Sequence, residues 1–308
     1  MTTFADLEGL VREQLDSFGV NPGPMSFLTN DLYPSDTSMS IATPHSGGIS
    51  AGVVEVGKEQ IYVIQHDTTN PGGQNTAILP GGRGWNGTRQ FIDQDNPVPA
   101  GTLVRIRPSW TAKQIRTALL STFPRVYPTL FGIKQYTFDF DSSKWQYDLP
   151  AEVERVLNVR TQSTAAHQPW IELNRWRFST VTDPAMPNSI TFEDYAQPGQ
   201  PVIVSYATRP TVDPDSGVDV WEQTGLNESL LQGILCGAVA YLLKFADAAR
   251  VLLGTTQLNI AADNPDQRVG TAMSLSTQLE QMFQLEVQQE ARRQRQTWKP
   301  VINTTRGN

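Results

Sequence analysis

The segment from Leu226 to Leu253 limits what this chain can become more than any other. It carries no charge between Ser229 and Tyr241, and its first cation is Lys244. A helix that is apolar on every face must be covered on every face. Leu230, Leu231, Ile234, Leu235, Val239 and Leu242 are its expected core positions. Gly233 and Gly237 lie four residues apart, on one face, and permit close approach of another helix. The segment is too short and too interrupted by Gln232 and the glycines to span a membrane.

Amphipathic helices that could cover it occur elsewhere. Residues 3–18 place Leu7, Leu10, Val11, Leu15 and Phe18 on one stripe, with Thr3 and Asp6 as a capping box and Gly19 as the stop. Residues 109–122 place Ile115, Ala118, Leu119 and Thr122 on one face, with Ser109 as the expected cap. Residues 270–298 begin apolar (Met273, Leu275, Leu279, Met282, Phe283) and end polar and basic. Thr224 is the expected cap of the apolar helix, after a linker over 211–225.

Between the helices the pattern is short and β-branched, and 21 prolines and 23 glycines supply many turns. Strands are expected at 38–43, 52–56, 60–65 and 102–107, with a hairpin at Gly57-Lys58. A second set is expected at 133–140, 153–161, 170–178, 189–192 and 202–208, with Trp145, Trp170 and Trp176 as core or edge aromatics. The predicted class is α+β: a small helical bundle (helices near 3–18, 109–122, 226–253 and 270–298) with two inserted antiparallel β barrel or sandwich modules. The domain reading is a helical core of 1–20, 108–132 and 225–298, β-rich insertions at 25–107 and 133–210, and an extended tail at 299–308.

Catalytic and metal-binding signatures are weak. His45, His66 and His167 are isolated from metal-ligand spacing. The loop Leu79–Thr88 is glycine-rich, but Gly87 stands where a phosphate-binding loop needs lysine. It is expected instead to pack Trp85 on the first β module. Asp213, Asp215 and Asp219 sit at calcium-loop positions 1, 3 and 7. Val218 and Thr224 break that pattern at positions 6 and 12, which favours an acidic linker. Cys236, the one cysteine, excludes an internal disulfide and is expected to be a buried apolar side chain. No cofactor and no metal are expected.

The formal net charge is −7, yet residues 291–308 carry five cations and no acid. Arg292, Arg293 and Arg295 suit a helix C-terminus, where each cation stabilises by about 0.3–1 kcal/mol. The same residues, with Trp298, Lys299 and Arg306, equally suit docking on an acidic partner. Nucleic-acid contact is a third reading, weakened by the shortness of the patch. Met1–Asp6 has neither a basic nor an apolar signal region, so synthesis is expected in the cytoplasm.

Three phrases then acquire a common meaning: Arg83-Gly84-Trp85-Asn86-Gly87-Thr88, the stretch Phe123-Pro124-Arg125-Val126-Tyr127-Pro128-Thr129-Leu130-Phe131, and Pro201-Val202-Ile203-Val204-Ser205-Tyr206-Ala207-Thr208-Arg209-Pro210. The last leads into the apolar helix and a Gln/Arg-rich final helix. In this order they resemble the head-to-tail connector (adaptor) proteins of long-tailed bacteriophages, those of actinobacteria in particular. The second β module is larger than minimal adaptors need.

The resemblance implies a structural, non-enzymatic virion protein. It implies a homo-oligomeric ring, a dodecamer, beneath the portal protein and around a DNA channel. The basic helix end and tail (Arg292, Arg293, Arg295, Trp298, Lys299, Arg306) would reach the portal. The opposite face would receive the stopper or the tail. Genomic DNA would pass without sequence-specific binding, eased by the acidic balance elsewhere. Other readings are a stopper, a tail-completion protein, a tail module that binds glycans through Trp170 and Trp176, and a hydrolase.

Overall fold

The computed structural model describes residues 1–18, 24–42, 50–66, 74–88, 97–162, 170–179, 188–193, 196–257 and 271–298. The fold is α+β. Among these residues five α-helices and thirteen strands form. The helices are α1 (Phe4–Ser17), α2 (Ala112–Thr122), α3 (Val220–Thr224), α4 (Leu231–Gln257) and α5 (Thr271–Thr297). The chain divides into two compact units, Glu8–Ala118 and Met1–Leu7 with Leu119–Asn308.

In the unit Glu8–Ala118, six strands form one antiparallel sheet. They are β1 (Met25–Phe27), β2 (Ser38–Ile41), β3 (Ser50–Val56), β4 (Glu59–His66), β5 (Gln74–Ile78) and β6 (Leu103–Ile106), in the order β1-β6-β3-β4-β5-β2. The outer strands meet through the bridge Leu28–Ile41, with Ala42 N donating to Phe27 O at 2.8 Å. The sheet is therefore a nearly closed barrel. Val54, Val56, Ile61, Val63, Val104 and Ile106 fill it. Gly57 takes φ 59° at the tight β3–β4 turn, as its position predicts.

Two carboxylates of this unit are fully buried. Glu55 meets Arg12 at 2.9 Å and Arg105 at 3.7 Å, and accepts from Ala112 N at the start of α2. Glu59 holds Arg83 through two bonds, Nε to Oε1 at 2.7 Å and NH2 to Oε2 at 2.9 Å. It also accepts from Gly84 N at 3.0 Å, while Arg83 NH1 donates to Tyr33 O. This pair anchors the glycine-rich loop, and Trp85 packs on Tyr62 of β4 with ring centres 4.9 Å apart.

The other unit contains two sheets around one core. The first, in the order β10-β9-β13-β7, uses β7 (Gly132–Asp139), β9 (Arg155–Thr161), β10 (Ile171–Glu172) and β13 (Pro201–Thr208). The second, β11-β12-β8, uses β8 (Gln146–Asp148), β11 (Trp176–Ser179) and β12 (Ser189–Phe192). The expected single strand 170–178 is thus two. The chain leaves one sheet after Glu172 and enters the other at Trp176, with Leu173 and Trp176 buried in the shared core. Trp145 is 90% exposed, contrary to a core role, because it lies in the turn before β8.

The helix starts also need correction. Thr111 caps α2, exchanging bonds with Gln114, so Ser109 lies outside the helix. Asn227 caps a 3-10 turn, Glu228–Leu230, that leads into α4. Thr224 instead ends α3, which Asp219 caps and Gly225 (φ 68°) terminates. Part of the expected 211–225 linker is therefore helical. At the chain start, Thr3 and Asp6 form the expected reciprocal box, with bonds of 2.8 and 3.2 Å. Phe4 joins Leu7, Val11 and Leu15 on the buried stripe, while Phe18 lies past the helix end and is exposed.

Helices α4 and α5 run antiparallel. Residues Gly233–Ala240 are all buried, Cys236 among them. Leu230, Ile234, Leu235, Val239 and Leu242 are core residues, whereas Leu231 is half-buried at the helix start. The two glycines admit α5 and the end of α2. A Cβ on Gly233 would lie 2.9 Å from Glu286 Cβ, and one on Gly237 would lie 2.8 Å from Thr122 Cγ2 and 3.0 Å from Phe283 Cδ2. Leu279, Phe283, Val287 and Ala291 give α5 its buried stripe, while Met282 lies outside it and is exposed.

Glu280 ties α5 to its neighbours, receiving Arg125 and, at 3.3 Å, Lys244. Burial raises its carboxyl pKa, but the bonds from Arg125 and Gln284 and the charges of Arg125 and Lys244 outweigh this and hold it below the ordinary glutamate value. Such a group stabilises the fold above its unfolded-state pKa, and the gain is lost as pH falls through its folded value. Glu280→Gln is therefore expected to flatten the acid limb of a plot of melting temperature against pH, with the largest deficit at neutral pH. Calorimetric scans from pH 3 to 7 measure it.

Candidate docking cleft

The basic end of α5 lies beside the first sheet of its unit. Gln294 fixes this contact: its Nε2 donates to Phe131 O at 2.8 Å, and its Oε1 accepts from Phe131 N at 3.4 Å. Tyr127–Phe131 is a compact aromatic turn with a cis Tyr127-Pro128 bond and an edge-on contact between the Tyr127 and Phe131 rings. The Arg155 guanidinium rests over the Phe131 ring at 5.4 Å, and that of Arg209 over Tyr127 at 5.3 Å.

These parts enclose a cleft of about 380 Å³. Its apolar lining includes Phe131, Ile133, Leu157, Ala207, Ala291 and Trp298, and Arg155 and Arg295 supply its charge. Ile133 and Ala207 are direct cross-strand partners on β7 and β13, and Arg155 pairs with Ala207 from β9. The three strands thus deliver one face to the cleft. Among the described residues no carboxylate lines it. Neither Arg155 nor Arg295 has an acidic partner among the described residues. Guanidinium groups beside aromatic surface suit bidentate capture of a carboxylate that arrives with an apolar side chain.

The residues expected to dock are placed differently from one another. Arg295 and Trp298 line the cleft, Trp298 half-buried. Arg293 turns toward the start of α4, meeting Glu290 at 2.9 Å and Ser229 at 3.1 Å, so it fastens the helix pair. Arg292 is exposed on α5, while Lys299 and Arg306 lie outside the described residues. Sequence reasoning missed Arg155, Phe131 and Gln294. Arg155 sits in an ordinary strand pattern, and only the sheet pairing brings it to the end of α5.

Of the histidines, His45 and His167 lie outside the described residues, as does the side chain of His66 at the end of β4. Among the described residues no group of three His, Cys, Asp or Glu side chains could hold a metal ion. No helix among them is long and apolar enough to cross a membrane. Trp176, one of the two tryptophans considered for glycan contact, is 8% exposed and belongs to the core. Comparison with protein-family models and with curated proteins finds no match.

Proposed function

We propose that this chain is a structural adaptor of a phage neck, which docks on the portal protein through the end of α5 and passes the tail-side contact to a stopper or to the tail. The observation that carries the reading is the cleft itself: a guanidinium-rimmed, aromatic surface at the end of α5, free of acids among the described residues. The motif order of the sequence supplies the phage context. In this reading α1 and α2 complete a small bundle around α4, copies form a dodecameric ring in the virion, and DNA passes through it without specific binding. The role is mechanical and needs no cofactor.

The test is a variant carrying Arg292→Glu, Arg295→Glu and Trp298→Ala. None of these side chains belongs to the buried stripe of α5. Binding to purified portal-bearing heads is expected to fall at least about tenfold, since losing central aromatic and arginine anchors commonly costs 2 kcal/mol or more. Cosedimentation with heads measures it. Binding equal to that of the wild type, with an unchanged circular dichroism spectrum, overturns the docking role.

A further inference from the structure

The cleft lies at the start of β7, and the rest of that strand carries a second open surface. β7 is the edge of its sheet, next to β13. Ile133 N donates away from β13, to Gly225 O at 2.7 Å, whereas Phe140 N donates to Gln200 O on the β13 side. The direction of the backbone groups alternates along an antiparallel strand. Gln135, Thr137 and Asp139 therefore direct N–H and C=O away from β13, and no described residue pairs with them there. All three are exposed.

Sheet edges are normally guarded by shortness, proline, a bulge or an outward lysine. The opposite edge, β10, is two residues long. β7 has eight residues, no proline and an unbroken register with β13, and the bulge lies instead between β13 and β9. Its one lysine, Lys134, is held by Glu152 at 3.2 Å. Within the open stretch Tyr136 is 37% exposed, and its ring lies 6.0 Å from that of half-buried Phe138. Past the strand the chain makes a braced turn. Ser143 N and Oγ donate to Asp141 Oδ1 at 3.0 and 2.7 Å, and Lys144 N donates to Asp141 O at 3.0 Å. Trp145 follows at 90% exposure, and Tyr147, two residues on, stacks on Phe138 with ring centres 4.5 Å apart. A tryptophan thus stands in water beside the end of β7.

We propose that β7 is a docking edge for an extended segment of a partner protein, which adds as a strand over Gln135–Asp139 and covers Trp145. The free backbone groups define the occupant. N–H and C=O pairs recurring every two residues, about 7 Å apart, are matched by another extended backbone. At Ile133 the chain already pairs the edge with a backbone carbonyl, that of Gly225. Tyr136 and Phe138 lie on one face of the strand and Gln135 and Thr137 on the other. The segment that fits them alternates apolar and polar side chains. Trp145 supplies an aromatic anchor of the kind that dominates interface energies. This surface is separate from the cleft and stands whether or not the cleft meets a portal.

A displayed library of random decapeptides, panned on the full chain, tests the edge. Counter-selection on a Thr137→Pro variant removes peptides that bind elsewhere, the cleft included. Proline at 137 deletes an outward N–H and leaves the β13 ladder intact, as edge strands allow. The enriched peptides are expected to alternate apolar and polar residues and to bind Trp145→Ala at least about tenfold more weakly than the wild type. On binding, hydrogen exchange at Gln135, Thr137 and Asp139 of the wild type is expected to slow. N-methylation of alternate peptide amides tests the ladder on the wild type alone. Methyl groups on the set that faces β7 abolish binding, and those on the other set spare it.

A library without enriched peptides, binding indifferent to Trp145→Ala, or methylation that acts equally in both registers would each overturn the docking edge. Self-association of the wild type that Thr137→Pro abolishes would assign the edge to a second copy and overturn the partner. Thr137→Pro is expected to sediment with portal-bearing heads as the wild type does, and loss of that binding would overturn the separation of edge and cleft. Cleft variants that still bind heads remove the adaptor docking and leave this edge.

Discussion

Replacing Gly132 by alanine is expected to destabilise the larger unit by at least about 3 kcal/mol, the upper range for forcing atoms into a packed site. The reason is space. A Cβ at this position would lie 1.9 Å from the carbonyl oxygen of Thr224 and 3.2 Å from Thr208 Cγ2. Gly132 opens β7, and the carbonyl belongs to the last residue of α3. From the other side Gly225 makes a similar approach: a Cβ there would lie 2.7 Å from Ile133 N, and Gly225 O accepts from that nitrogen at 2.7 Å. Two backbones meet without side chains between them, and neither can retreat without losing strand or cap. The measurement is the midpoint of urea unfolding, with hydrogen exchange at the β7 amides to localise the effect. Gly9→Ala is the control. That glycine lies in α1 with nothing within 4 Å of a new Cβ, so alanine there is expected to stabilise by about 0.5–1 kcal/mol. Equal effects at the two positions would contradict the packing argument.

Glu59→Ala is expected to cost the barrel about 3–5 kcal/mol, the range for removing one partner of a buried ion pair. Glu59 is fully buried and the Arg83 side chain is 7% exposed, so the guanidinium left behind has little water to compensate it. The loss reaches past the pair. Gly84 N loses its acceptor, and the loop that sets Trp85 against Tyr62 loses its anchor. The double replacement Glu59→Leu with Arg83→Met separates the two causes, since it leaves no unpaired charge. It is expected to recover most of the stability, because well-packed apolar pairs often match buried ion pairs. Thermal unfolding of the wild type and the variants provides the comparison. A double variant as unstable as Glu59→Ala would show that loop geometry dominates over charge burial.

The sequence made visible those features whose causes are local. The Thr3–Asp6 box, the Gly57 turn, the covered helix with its two glycines and the buried cysteine all depend on residues a few positions apart. Non-local causes stayed hidden. Strands β1 and β8 are each three residues long and take their identity from partners far along the chain. The split of 170–178 between two sheets has no periodic signature, because both halves keep their β-branched or aromatic content. Helix α3 was missed although Asp219 and Gly225 bracket it, since five residues are too few to show a 3.6-residue period. The cleft was half legible. Arg295 and Trp298 stand in a run without acids, whereas Arg155 becomes part of it through strand pairing alone.

The division of the chain into units also has a temporal side. Glu8–Ala118 is continuous, so its barrel can close soon after it leaves the ribosome. The other unit includes the first seven residues together with everything after Leu119. Thr2 N donates to Asp219 at 2.9 Å, and Val220 N donates back to Thr2 O at 3.0 Å, so the beginning of the chain waits for a segment made much later. The uncharged face of α4 waits longer still, until α5 follows. At translation speeds of about 5–20 residues per second, the stretch from Gln257 to Thr297 takes roughly two to eight seconds to make. In that interval the most apolar helix of the protein lacks the cover that α5 provides.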